Sequence, residues 1–200
     1  MGVLSQAIAL RASFARPVLF WPSLTASLAA SGLLVGPGTG LTARRPDRRW
    51  IAAGGAAGLF TYLGAVLVAI CLRRSRRGAT WLSRVAACTG SQPPLVRSLL
   101  VIPAAIGEET FWREHLLSDG RGEISKRRVA LSAAVYSLTQ AASANPLPVA
   151  GGMVLAGVTG ALRRSSGSLT PALAAHLVFS ELTLAWPGVP GPPTGRSRSK

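Results

Sequence analysis

The chain has 200 residues, 48% of them hydrophobic and only 14% charged, with a formal net charge of +15 at pH 7 and a mean hydropathy of +0.36. Soluble domains carry roughly 25% charged residues, so the composition argues for an apolar solvent around a single domain-sized chain. The positive charge would suit nucleic acid if it formed one face or helix stripe. Instead it gathers in short clusters, "RRPDRR" at 44–49, "RRSRR" at 73–77, "SKRR" at 125–128 and "RR" at 163–164. Clusters between apolar runs are how membrane proteins distribute loop charge against anionic headgroups. No nucleic-acid partner is expected, and a lipid bilayer is.

A bilayer-spanning helix needs about 20 mainly apolar residues. The first stretch that meets this is 17–36, "PVLFWPSLTASLAASGLLVG", after Arg11 and Arg16. It could be a cleavable signal peptide or part of an organellar transit segment, but the later apolar stretches favour an uncleaved first span. The second is 51–72, "IAAGGAAGLFTYLGAVLVAICL". Further spans are expected over 94–117, 129–144, 147–162 and 168–186, the last three short or rich in small residues that let helices approach closely. From 187 to 200 the Pro/Gly-rich, basic tail is expected to be disordered.

The fold class is therefore all-α, a polytopic integral membrane protein with about six transmembrane helices in one bundle. Basic clusters fall on both sides of the bilayer, so the sequence does not fix orientation. Cys71 and Cys88 lack metal-type spacing and are expected to be small buried apolar residues.

Ionisable residues inside membrane helices are expensive and usually face a cavity or a partner. The candidates are Glu108, Glu109, Arg113, Glu114, His115, His176 and Glu181. Glu109 and Arg113 are four apart, so they share a helix face and can form an ion pair. Glu108 is rotated by about 100° from Glu109, away from that arginine and free for proton chemistry. The competing reading makes "EETFWRE" an interfacial helix end solvated by headgroups. Thr170–Pro171 reads as a helix start, and His176 follows inside the apolar stretch with Ser180 four residues on. That histidine needs a polar partner, and the glutamates are the obvious ones. His115, seven residues beyond Glu108 and about 10 Å along the axis, is expected at headgroup level.

"EETFWR" at 108–113 and "GALRRSSGSLTPALAAH" at 160–176 resemble the CPBP (Abi) family of intramembrane endopeptidases, which includes the type II CAAX prenyl proteases. The family pattern is EExxxR, then FxxxH on the next helix, then a histidine followed four residues later by Asn or Asp. The chain departs from it twice. It reads "YSLTQ", with Tyr136 for Phe and Gln140 for His, and Ser180 stands for the final Asn or Asp. The resemblance covers about residues 95–186. It divides the chain into an N-terminal membrane region (1–93), a protease-like core (94–186) and the tail.

Carried over residue by residue, the resemblance implies a catalytic set of Glu108, Glu109, Arg113, Gln140, His176 and Ser180. Glu108 would be the general base and His176 an oxyanion-side donor, with Glu109 and Arg113 as the supporting pair. Gln140 could orient water but not take up a proton near neutral pH, and Ser180 could donate one hydrogen bond. No cofactor is expected. Zinc is disfavoured by two histidines and the lack of HExxH, since a catalytic zinc usually takes three protein ligands. The implied partner is a membrane-associated protein or peptide substrate, and the implied location a bacterial cell membrane. Three functions follow in order: an endopeptidase using Glu108-activated water, an inactive binding or immunity protein of the same fold, and a small transporter or proton carrier.

Overall fold

The computed structural model describes residues 2–23, 25–26, 28, 47–117 and 124–185, and every regular element among them is helical. Among the described residues seven α-helices have both ends defined: α1 (Gly2–Ala15), α2 (Arg48–Leu72), α3 (Arg76–Thr89), α4 (Pro94–Glu109), α5 (Lys126–Gln140), α6 (Pro146–Ser166) and α7 (Thr170–Ser180). Helix α4 continues into a π-helical turn, Thr110–His115, and α7 into another, Glu181–Ala185.

Local chemistry sets the helix starts. Asp47, Ser75, Ser125 and Asn145 each accept a backbone N–H from the first turn of α2, α3, α5 and α6, relieving donors that have no partner inside the helix. Proline opens α4 and α7, where its missing N–H costs nothing. The cap of α7 falls one residue before the expected Thr170, at Leu169.

Among the described residues one helix is long and apolar enough to cross a membrane, Arg48–Leu72. Its apolar side chains point outward: Leu59, Phe60, Leu63, Leu67, Val68 and Ile70 are exposed. The helix is buried only where it is narrow, at Gly54 and Gly58. A Cβ on either would run into the backbone carbonyl of Pro171 or Ala175. The two glycines, four apart, thus cut a notch that lets α2 lie directly on α7, the small-residue approach used between membrane helices.

The expected spans 94–117, 129–144, 147–162 and 168–186 all form as helices, within a few residues of those limits. Their length and apolarity do not by themselves mark them as spans: α4, α5 and α7 have 16, 15 and 11 residues, against about 20 for a spanning helix. Of the expected span 17–36, residues 17–19 form a 3-10 turn and 20–23 are helical; its part beyond residue 28 and the tail 187–200 lie outside the described residues.

Two helices were not expected. Helix α1 precedes the first expected span, and α3 begins inside the basic cluster that reads as a loop. Both pack on the core through polar anchors. Gln6 on α1 accepts from the Trp112 indole at 3.2 Å, and Trp21 donates to the Thr89 carbonyl at the end of α3 at 3.0 Å. Cys88 is buried as expected, whereas Cys71 is exposed. It sits in the last turn of α2, on a helix that packs through its glycines.

Candidate active site

The site assembles where α4 becomes π-helical. Glu108 and Glu109 close α4, and Arg113 follows in the wider turn. Such turns insert an extra residue per turn and occur often at functional sites. All three side chains are enclosed by protein, at 7%, 0% and 1% exposure. This rules out the headgroup-solvated reading of "EETFWRE".

His176, on α7, stands between the two carboxylates. Its Nδ1 is 2.8 Å from Glu109 Oε1, and its Nε2 is 3.3 Å from Glu108 Oε2. Each ring nitrogen therefore has a carboxylate oxygen, which fixes the plane of the imidazole. The expected Glu109–Arg113 ion pair forms at 3.4 Å between Arg113 Nε and Glu109 Oε2. A closer partner for the same Nε is the Thr159 hydroxyl on α6, at 2.7 Å. Glu109 thus serves both the guanidinium on its own helix and the imidazole across from it.

Glu108, expected to turn away from that arginine, has neighbours of its own. The hydroxyl of Tyr136, on α5, donates to Glu108 Oε1 at 3.0 Å. The rotation that carries Glu108 away from Arg113 turns it toward α5 and α7. Tyr136 is the residue the sequence reading passed over. Its signal was the departure from the family pattern itself, a phenol where phenylalanine is the rule.

A cavity of about 40 Å³ opens beside Glu108, His176 and Ser180, otherwise lined by apolar side chains that include Trp21, Val101 and Leu184. A single water needs roughly 10–15 Å³ of such space, so a few waters fit and a peptide does not. Ser180 is buried at this cavity, one turn beyond His176. Gln140 stands apart from the cavity lining. It is half-buried at the end of α5, its Cγ packed toward Gly152 on α6.

The remaining candidates have structural partners. Glu114 pairs with Arg163 of α6 at 3.1 Å, both buried. Glu181 accepts from the Ser98 hydroxyl at 2.6 Å, and Arg97 donates to the Leu184 carbonyl at 3.0 Å, so α4 is clamped to the end of α7. His115 is exposed, against the Phe111 ring. Among the described residues no group of three or more His, Cys, Asp or Glu side chains is disposed to hold a metal ion.

Fold and site together define an all-helical protein with a buried carboxylate–histidine cluster beside a cavity for a few waters. A family model described as "Type II CAAX prenyl endopeptidase Rce1-like" matches residues 90–180, the stretch from just before α4 to the end of α7. That match supports the CPBP/CAAX-protease family for this segment, the family its motifs resemble. No curated protein and no solved structure matches the chain.

Proposed function

We propose that the protein is a multi-pass membrane endopeptidase of the CAAX-protease type, hydrolysing a peptide bond of a membrane-associated protein or peptide. The observation that carries this reading is Glu108, buried at the edge of the cavity with His176 Nε2 3.3 Å from one oxygen. A carboxylate held beside a few waters in an apolar surround is suited to act as a general base.

In this mechanism Glu108 takes a proton from a cavity water as its oxygen attacks the peptide carbonyl. The C–O bond forms, and the developing oxyanion is met by hydrogen bonds from His176 and Ser180, an electrostatic contribution typical of acyl-transfer sites. Collapse breaks the C–N bond, and the proton held by Glu108 passes to the leaving amine. Glu109 contributes by holding His176 through Nδ1, with Arg113 balancing its charge. Gln140 has no step in this scheme.

The test is cleavage of a peptide library by the purified, detergent-solubilised protein, comparing wild type with Glu108→Ala. Cleavage by wild type that disappears in the variant supports the proposal. Cleavage that persists in Glu108→Ala contradicts the general-base role, and a silent wild type favours the binding or immunity function.

A further inference from the structure

We propose that Tyr136, at the first position of the second motif, is the positioning residue for Glu108, holding its carboxylate through the phenol hydroxyl. This rests on Glu108 being the general base.

Four contacts hold the phenol where it is. Its hydroxyl donates to Glu108 Oε1 at 3.0 Å. Its ring meets the Trp112 indole edge-on, with centroids 5.3 Å apart. The guanidinium carbon of Arg113 lies 5.5 Å from the ring centroid. On the fourth side α6 presents Gly152, where a Cβ would come within 3.1 Å of Tyr136 Cε1 and 3.0 Å of Gln140 Cγ. The ring is thus fixed by packing, and the hydroxyl has one destination.

Packing alone does not call for that hydroxyl. Phe111, Trp112, Ala133 and Ala156 form the apolar cluster around the ring, and phenylalanine would fill the same volume. A buried hydroxyl costs free energy unless it finds a partner, and the partner here is the carboxylate in question. With Oε1 tied to the phenol, Oε2 is the oxygen left facing His176 Nε2 at 3.3 Å. Tyr136 therefore decides which way the Glu108 carboxylate is turned. Gln140, one turn along, packs its stem toward Gly152.

The experiment uses the full chain in detergent with the fluorogenic peptide best cleaved from the library. Tyr136→Phe is expected to lower kcat about 10- to 100-fold, less than the roughly 10²–10⁴-fold of losing general-base assistance altogether, with KM within about twofold. An unchanged kcat in Tyr136→Phe overturns the proposal, as does a loss that tracks a fall in melting temperature. Infrared spectra of protein with carboxyl-labelled glutamate give a readout independent of turnover, the Glu108 band being the one lost in Glu108→Gln. A shift of that band in Tyr136→Phe supports the contact even if wild type cleaves nothing, in which case the base assignment alone has failed. An unshifted band overturns the proposal whatever the activity.

Discussion

His176 Nδ1 lies 2.8 Å from Glu109 Oε1, 67 residues away in the chain, and this contact is what turns the other ring nitrogen toward Glu108. Glu109 is completely buried and shared between His176 and Arg113. Replacing it by glutamine leaves the guanidinium of Arg113 buried without its counter-charge. Breaking a buried pair in this way commonly costs about 3–5 kcal/mol. Glu109→Gln is expected to lose stability on that scale, read as a lower melting temperature, and to lose activity even where it stays folded.

Gln140 and Glu109 should behave oppositely, although the sequence motifs give them equal standing. Gln140 is not part of the cavity lining, and its stem lies against Gly152. Gln140→Ala is expected to leave kcat and KM for peptide cleavage within about threefold, since a half-buried side chain away from the chemistry usually matters little. A loss of a hundredfold would show that this glutamine reaches the reacting water.

Much of the site was legible from spacing. The four-residue interval between Glu109 and Arg113 correctly gave the ion pair, and the 100° step correctly separated Glu108 from the arginine. The pairing of His176 with the glutamates was also expected and forms, whereas the Tyr136 contact was not legible, because that phenol reaches Glu108 from a helix brought alongside only by tertiary packing. The helices over 94–186 were readable from apolar runs bounded by proline and serine. Helix α3 was not, since its arginines read as a loop cluster and its buried side, Gly78, Cys88 and Thr89, is small. The π-helical turn at Thr110–His115 also leaves no mark in composition.

Gly54 and Gly58 seat α2 on the helix that carries His176, so they link the membrane-long helix to the site. Gly58→Leu would drive a side chain into the Ala175 backbone, one residue from His176. Separation of α2 from α7 is expected, with a lower melting temperature in detergent and reduced cleavage. Gly55→Leu and Gly64→Leu are the controls, because a Cβ at either meets nothing within 4 Å, and both should melt like wild type.

The two cysteines report on burial directly. Cys88 is enclosed, with its thiol 3.7 Å from the Ser13 carbonyl, and burial pushes the thiol up from its ordinary value. Since the thiolate is the reactive form, Cys88 should resist maleimide until the protein unfolds. Cys71 is exposed at the end of α2 and should label in the native state. Equal labelling of both would mean that α3 is not docked as described.

The most direct measurement is the rate of peptide cleavage by Glu108→Gln against wild type, at matched melting temperature. The isosteric amide keeps the size of the side chain and cannot accept a proton. Hydrolysis through Glu108-activated water predicts a fall in kcat of at least about a hundredfold, the scale of general-base assistance. A Glu108→Gln protein that cleaves at the wild-type rate would contradict it.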